Sequence, residues 1–221
     1  MRIGVIGAGR IGAGVSRQLA QAGHELLLSY SRDPERLQTL AENLGDRVKV
    51  GAVRDAAVFG DVVLLSVPWR LVPDVLETAG GLDSKVVVDT TNYFVAGGLQ
   101  PLPPGRTAAR VNADRMPGAR VVKAFNTLTA AFQHAEAGRA DEPVVLFLCG
   151  DDPQAKAVVA GLIEDAGFYP CDLGGLDEAA PMEAPRRPGA VYGEEYRPAD
   201  ARAAQQALAA GRPIPPTPRY G

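Results

Sequence analysis

The sequence has few of the residues that mark several common classes of protein. Its 221 residues include two cysteines and two histidines, and neither pair has the spacing of a metal site or a redox motif. The formal net charge is −3 and there is no basic run, which argues against a nucleic-acid-binding protein. No apolar stretch approaches the roughly 18 residues that span a membrane. These scarcities favour a cytoplasmic protein with reduced core thiols and no metal.

What the sequence does contain is a glycine-rich turn between an apolar strand and a helix. Residues 1–6 are largely apolar, and apolar residues recur at helical spacing over residues 11–22. Between them lies the pattern G-x-G-x-x-G. Its first glycine permits a tight turn, its second lets a pyrophosphate approach the helix N-terminus, and its third lets the helix pack on the strand. We expect a dinucleotide to lie along Gly7, Ala8, Gly9, Arg10, Ile11 and Gly12.

The end of the second predicted strand favours NADP(H) over NAD(H). NAD sites usually place Asp or Glu there to bind the ribose 2′-hydroxyl, whereas this chain has Ser31 and Arg32. A hydroxyl and a guanidinium would bind a 2′-phosphate, which a carboxylate would repel. Asp33, followed by proline, is typical of a helix start, and it places Arg36 in the first turn beside that phosphate.

Strands and helices alternate along the rest of the chain, which predicts a doubly wound, mainly parallel, Rossmann-type α/β fold. We place an NADP-binding domain at residues 1–178 and a C-terminal extension, rich in proline and arginine, at residues 179–221. By composition alone the extension would be disordered. We expect packing to order it, either on its own domain or, as we favour, as an exchanged arm of a homodimer. Its candidate anchors are Tyr192, Tyr196 and Tyr220.

Three predicted strand ends carry polar side chains, and ligands of such sheets lie beyond the carboxyl ends of the strands. We assign the first end to the adenosine and ribose of the cofactor, and the other two to the nicotinamide. Turns closed by their own side chains are the alternative for each, and packing is the alternative for the tryptophan. The predicted cofactor residues here are Ser66, Val67, Pro68, Asn92 and Ala124, and the predicted substrate residues are Trp69, Asn92 and Asn126.

No catalytic acid is assigned. Hydride moves directly between two stacked rings, so the protein supplies mainly position and electrostatics. Lys123 lies within a predicted strand, where a structural role is favoured, and His134 is expected on a helix surface.

A family resemblance rests on the motifs VIGAGRIGAGV, SYSRDPE, LLSVPW, VVVDTTN, VVKAFNT, LFLCGDD and DLGGL, in that order. Together they resemble the NADP-dependent, deazaflavin-linked oxidoreductase family over residues 1 to about 178. The resemblance implies that Ser31 and Arg32 hold the 2′-phosphate, that Val67 and Pro68 line the cofactor, and that the segments at Asn92 and Asn126 border the nicotinamide. Family members typically continue with an apolar helix, from which residues 179–221 depart.

We therefore predict an NADP-dependent oxidoreductase that transfers hydride between NADP(H) and a small-molecule acceptor. The favoured acceptor is the deazaflavin coenzyme F420 or a flavin, FMN or FAD, as the resemblance implies. One alternative is a reductase of C=O or C=N groups, whose relatives add a C-terminal helical domain that the remaining residues here do not match in periodicity. Another is a non-catalytic NADP(H)-binding sensor or subunit.

Overall fold

Apolar strands alternate with helices that are apolar on one face, and this pattern builds the architecture. A computed structural model describes residues 1–30 and 33–218. The strands are β1 Arg2–Ile6, β2 Glu25–Ser29, β3 Val48–Val50, β4 Val62–Leu65, β5 Val86–Asp89, β6 Phe94–Val95, β7 Gly98–Leu99, β8 Arg120–Lys123, β9 Val145–Gly150 and β10 Tyr169–Asp172. The helices are α1 Arg10–Gln21, α2 Pro34–Leu44, α3 Val53–Phe59, α4 Val72–Ala79, α5 Ala108–Asp114, α6 Ala130–Glu136, α7 Pro153–Asp165 and α8 Pro198–Ala209.

The central sheet has the strand order β10-β9-β8-β5-β4-β1-β2-β3. Within this order, the six strands β8-β5-β4-β1-β2-β3 are parallel to one another, which confirms the predicted mainly parallel, doubly wound sheet. The alternation of elements did not reveal one feature: β9 is antiparallel to β8, and β10 is parallel to β9. The chain between β8 and β9 returns to the same edge of the sheet, with α6 packed on α1, so β9 runs back along β8.

Two apolar layers enclose the sheet. Along β5, Val87 faces the layer that includes α3 and α4, while Val86 and Val88 face the layer that includes α1 and α7. This alternation follows from the two-residue period of a strand. Each fully buried valine or leucine contributes roughly 1.5–3 kcal/mol relative to exposure, so the paired layers fix the sheet and, with it, the positions of the strand ends.

Local capping sets where the helices begin. The Asp33 side chain accepts a hydrogen bond from the Arg36 backbone N–H, as the predicted cap of α2 requires. Thr129 caps α6, since its hydroxyl accepts a hydrogen bond from the Phe132 backbone N–H. Between β5 and α5, β6 and β7 form a short antiparallel hairpin.

Residues 179–218 pack on their own chain. Helix α8 turns a face of alanines, Ala201, Ala204 and Ala207, inward, and it contacts β10. The Tyr196 ring is 2% exposed and meets the Phe147 ring edge-on at 5.0 Å between centroids. Large aliphatic residues are thus replaced by alanines that let the helix approach the sheet closely. Tyr220 lies outside the described residues, and the domain division and the exchanged arm stay predictions.

We expect Tyr196→Ala to lower the free energy of unfolding by about 3–5 kcal/mol, because it removes a buried ring and leaves a cavity beside Phe147. Urea denaturation followed by circular dichroism measures the change. Tyr169→Ala is the control, since that ring is 36% exposed on the edge strand β10 and its loss should cost less than about 1 kcal/mol. Equal losses in the two variants would contradict the packing role of Tyr196.

Candidate functional site

The three glycines of the first turn have different physical reasons to be glycine. A Cβ on Gly7, whose φ is +105°, would lie 2.3 Å from the Ser66 carbonyl oxygen. A Cβ on Gly12 would lie 2.0 Å from the Gly7 carbonyl oxygen. These two positions are therefore closed by packing of the turn on β4 and on itself. A Cβ on Gly9 would meet no atom of the described chain within 4 Å, so this position opens onto free space.

That space lies at the N-terminus of α1. Gly9 is the N-cap residue and has no side chain with which to satisfy the first N–H groups of the helix. Unfilled N–H groups and the positive end of the helix dipole favour a phosphate. The open side of Gly9 and the closed sides of Gly7 and Gly12 fit a dinucleotide pyrophosphate, whose binding here stays a prediction. Ala8, Arg10 and Ile11 complete this turn.

The predicted 2′-phosphate residues are only partly described. Strand β2 ends at Ser29, whose buried hydroxyl donates to the Val5 carbonyl oxygen at 2.8 Å. Ser31 and Arg32 lie outside the described residues. Arg36 is exposed in the first turn of α2, and it shares a cavity wall with Arg10. Its role at the phosphate stays a prediction.

The end of β4 lies against the glycine turn. The Ser66 N–H donates to the Ile6 carbonyl oxygen at 2.8 Å, Val67 is buried, and Pro68 is exposed. Val67 is also near the turn, because its side chain would lie 2.8 Å from a Cβ on Gly7. The structure thus brings Ser66 and Val67 against the glycine turn, and Pro68 follows them in the chain.

Trp69 lies in a packed environment. Its ring is 1% exposed, and its Nε1–H donates to the Gln100 side chain at 2.9 Å. The Arg115 guanidinium lies 4.7 Å from the ring centroid, and Tyr93 meets the ring edge-on. Burial lowers the pKa of Arg115 from its ordinary value. These are the contacts of the packing alternative, and contact of Trp69 with substrate stays a prediction.

Asn92 and Asn126 are joined across the ends of β5 and β8. The Asn92 side-chain amide donates to the Asn126 carbonyl oxygen at 3.0 Å, and the Asn126 amide donates to Asn92 Oδ1 at 3.2 Å and to the Met182 carbonyl oxygen at 2.6 Å. The Oδ1 atom of Asn126 is buried without a hydrogen-bond partner in the described chain. Such an orphaned acceptor costs about 1–3 kcal/mol and often marks a functional position. Ala124, a predicted cofactor residue, is buried directly after β8, two residues before Asn126, and its N–H donates to the Asp89 carbonyl oxygen.

Lys123 and Asp89 form a buried ion pair next to the loop that carries Asn92. From the sequence, only a structural role of Lys123 within a strand was expected. Lys123 and Asp89 are both 0% exposed, with Nζ and Oδ2 3.2 Å apart. Asp89 also accepts hydrogen bonds from the Thr91 N–H and the Asn112 amide, and Lys123 donates to the Thr91 carbonyl oxygen. The network holds the loop from Asp89 to Asn92 in place. A carboxylate at one strand end and a lysine in the next strand were its only signal in the sequence.

A segment of the C-terminal extension, residues 182–193, lies along this edge of the sheet, and we call it the belt. Besides Met182, its Ala184 carbonyl oxygen accepts from the Tyr93 hydroxyl at 2.8 Å, and its Gly193 N–H donates to the Thr127 carbonyl oxygen at 2.8 Å. The buried Glu183 carboxylate accepts from the first two N–H groups of α5 at 2.9 and 2.7 Å. Burial raises the pKa of Tyr93, and the charge of Glu183 adds to this rise.

The belt borders a cavity with a volume of about 880 Å³. Its lining includes Leu128 and Phe132 from the segment that follows Asn126, and Tyr196 from the extension. The sequence did not predict this wall, because the belt is held mainly by backbone groups and by one buried carboxylate. Neither backbone hydrogen bonds nor a single carboxylate produces a periodic pattern of apolar residues in the sequence.

Two further properties concern the described residues alone. Over residues 1–30 and 33–218, every helix is too short or too polar to cross a membrane. In the same ranges, no three His, Cys, Asp or Glu side chains come together in a group that could hold a metal ion. Cys149 and Cys171 are free and buried, and burial raises the pKa of Cys171 to about 12.

Residues 2–93 match the family model described as "NADP oxidoreductase coenzyme F420-dependent". This range contains the glycine turn and both polar strand ends up to Asn92. Over that region, the family resemblance predicted from the sequence is confirmed. The predictions of an NADP-dependent oxidoreductase and of NADP(H) as cofactor are thereby confirmed at the level of the family.

Solved structures share the fold of this chain. A hypothetical protein of Sinorhizobium meliloti, SMa0349, is 32% identical, with a TM-score of 0.78 over 89% of this chain and 95% of that one. A candidate F420-dependent NADP reductase of Arthrobacter sp. FB24 is 24% identical, with a TM-score of 0.68 over 97% of this chain and 96% of that one. At that lower identity, the second likeness supports the fold.

Curated relatives are longer proteins. The metalloreductase STEAP3 of Rattus norvegicus is 28% identical over 183 residues, which cover 83% of this chain and 36% of that protein. The chain therefore spans about a third of the length of the curated relatives it matches. What the whole relatives do is not transferred to this chain by that match.

We expect Gly9→Ala and Gly12→Ala to separate binding from folding. The Gly9 variant should keep its free energy of unfolding within about 1 kcal/mol, because the new Cβ meets open space and φ is −71°. It should weaken NADPH binding at least about tenfold, since the methyl group fills the place of the pyrophosphate. Gly12→Ala should cost about 1–3 kcal/mol of stability by overpacking. Fluorescence titration and urea denaturation measure both effects, and unchanged NADPH affinity in Gly9→Ala would disprove the cradle.

A second expectation concerns the buried ion pair. Lys123→Met should lower the free energy of unfolding by about 3–5 kcal/mol, because Asp89 is left charged and buried. Adding Asp89→Asn should recover about 0.5–3 kcal/mol relative to the sum of the single changes. The exposed pair Arg2 and Asp61, 2.7 Å apart, is the matched control and should show a smaller coupling. Strict additivity at Lys123 and Asp89 would refute the interaction.

Proposed function

We propose that this chain transfers hydride between NADP(H) and a deazaflavin or flavin acceptor. The observation that carries the proposal is the Asn92–Asn126 pair, which joins two strand ends at the same sheet edge as the glycine cradle. When bound, the cofactor supplies a hydride through its nicotinamide ring. The residues of the chain then have three tasks, namely to hold the dinucleotide, to fix the strand ends, and to wall the acceptor space.

The dinucleotide would be held by the cradle of Gly7, Gly9 and Gly12, with Ser31, Arg32 and Arg36 at its 2′-phosphate. Because these residues include no carboxylate that would repel a phosphate, they favour a ribose that carries a 2′-phosphate. Val67 and Pro68 would border the adenosine and ribose side. This assignment is supported by the open space at Gly9 and by the family, whose description names NADP.

The asparagine pair would orient the nicotinamide and the ring that faces it. Its rigidity is supported by the network beneath it, in which Asp89 and Lys123 are bound to each other and to the loop. These two buried groups are thus engaged in holding position. Transfer to a deazaflavin or flavin suits such a site, because the acceptor ring delocalises the charge that it gains and needs position more than a strong acid.

The acceptor would lie in the cavity between the belt and α6. Its volume of about 880 Å³ is in the usual range of small-molecule sites, and apolar side chains such as Leu128 and Phe132 suit a flat ring. The homodimer predicted from the sequence remains part of this proposal, with the extension at the subunit contact.

A second candidate, reduction of a C=O or C=N group, is favoured by one residue. Tyr192 is half-buried in the belt, next to Gly193, whose N–H donates a hydrogen bond to the Thr127 carbonyl oxygen. The phenol carries a proton at neutral pH, as a general acid must, and burial raises its pKa, which holds this proton more tightly than in a free tyrosine. A ketone or imine would need such a proton, whereas a deazaflavin would not depend on it.

Stopped-flow oxidation of NADPH discriminates between these functions when oxidised F420, FMN, FAD, a cyclic imine and no acceptor are used in parallel. We expect rapid oxidation with the deazaflavin or a flavin, and a change of less than about threefold in Tyr192→Phe, because no proton from the phenol is needed. The second candidate would be established if only the imine were turned over and if Tyr192→Phe lowered that turnover rate about a hundredfold or more. NADPH binding without turnover of any acceptor would favour a sensor.

A further inference from the structure

A groove on the outer surface of α1 adjoins the proposed cofactor site and shares Arg10 and Arg36 with it. Helix α1 forms its floor, while α2 and α6 form its walls, and its volume is about 410 Å³. We call it the basic groove, since it has no carboxylate in its lining. Its residues are Arg10, Ala13, Gly14, Arg17, Arg36, Thr39, Leu40, Asn43, Ala130, Ala131 and His134.

The arginines of the basic groove have no counter-charge. Among residues 1–30 and 33–218, no carboxylate lies within 4.0 Å of the guanidinium groups of Arg10, Arg17 and Arg36. Elsewhere in the chain many arginines are paired, and Arg110 even contacts two carboxylates. Three unpaired cations around one concavity, in a chain of net charge −3, create a local positive potential that attracts anions.

The floor of the groove is also open to close approach. A Cβ on Gly14 would meet no atom of the described chain within 4 Å, and its neighbour is Ala13. An incoming chain could therefore lie directly against α1, with the arginines on either side of it. Long side chains at these two positions would have closed the groove.

The groove is longer than one phosphate. Arg10 and Arg17 are seven residues apart on α1, which separates them by about 10.5 Å along the helix axis. Arg10 and Arg36 belong to the predicted cofactor set, whereas Arg17 and His134 do not. An extended peptide in the polyproline II conformation advances about 3.1 Å per residue and completes a turn every three residues. Carboxylates three residues apart therefore lie on one face about 9 Å apart, close to the spacing of the two arginines.

We propose that the basic groove binds an acidic, extended segment of a partner protein. Charge complementarity favours this occupant over a second copy of the chain, because a two-fold contact would place the same arginines opposite one another. The partner's carboxylates would pair with Arg10 and Arg17 while its backbone crosses Ala13 and Gly14. The proposal does not depend on the hydride acceptor.

A fluorescein-labelled deca-glutamate peptide is the probe, and its fluorescence anisotropy reports binding to the full chain. We expect Arg17→Glu to weaken binding at least about tenfold. Arg202→Glu is the matched control, since it makes the same change of charge at an exposed position of α8, on the other face of the sheet. It should change binding less than about twofold. Arg17→Gln, with stability checked by urea denaturation, guards against a folding defect.

Three outcomes would overturn the proposal. Equal weakening by Arg17→Glu and Arg202→Glu would indicate general attraction to a charged peptide. Complete displacement of the peptide by NADP⁺, together with loss of NADP⁺ affinity in Arg17→Glu, would make the groove part of the cofactor site. Tighter, Arg17-dependent binding of a ten-nucleotide single-stranded DNA would assign the groove to nucleic acid. Because no acceptor or turnover enters these measurements, failure here is distinct from failure of the proposed hydride transfer.

Discussion

The close contact of the glycine turn with β4 is the constraint on which the site depends. Gly7 and Gly12 lie so near the Ser66 and Gly7 carbonyl oxygens that any Cβ would force the elements apart. This contact sets α1 directly over the sheet, with its N-terminus at the edge where the parallel strands end. The free space at Gly9 is a consequence of that position. The fold and the nucleotide cradle are therefore one packing arrangement, and a change that loosens the turn would affect both.

Farther along the same edge, polar groups take over the task that glycine packing performs at the turn. Asp89 and Lys123 are wholly buried, and the cost of removing two charges from water is offset only because each also has hydrogen-bond partners in the Thr91 and Asn112 segments. Such a network is directional, whereas apolar packing is not. It holds the loop that carries Asn92 and thus fixes its distance from Asn126. Specific geometry is what hydride transfer requires of a protein.

The sequence predicted the features that leave a periodic or local signal. Strand and helix order, the cap at Asp33 and the tight glycine turn follow from apolar spacing, capping residues and glycine positions. Strand direction left no such signal, so the reversal at β9 was missed. Glu183 was missed for a similar reason: a lone glutamate in a proline-rich segment gives no hint that its carboxylate will cap α5, 74 residues away for the Ala109 contact. Long-range polar contacts are set by the fold as a whole, which one-dimensional patterns do not encode.

The belt links the C-terminal extension to the site energetically. It is held by main-chain hydrogen bonds to Asn126 and Thr127, by the Tyr93 hydroxyl, and by Glu183 at the start of α5. Most of these partners belong to the loops that border the proposed nicotinamide position. A ligand that orders those loops must therefore also stabilise the belt, and by linkage an ordered belt must favour the ligand. An apolar helix would have closed the same edge through burial alone, with a weaker dependence on the orientation of individual loop residues. In this chain, the wall of the proposed acceptor space and the asparagine pair are coupled through the same hydrogen bonds.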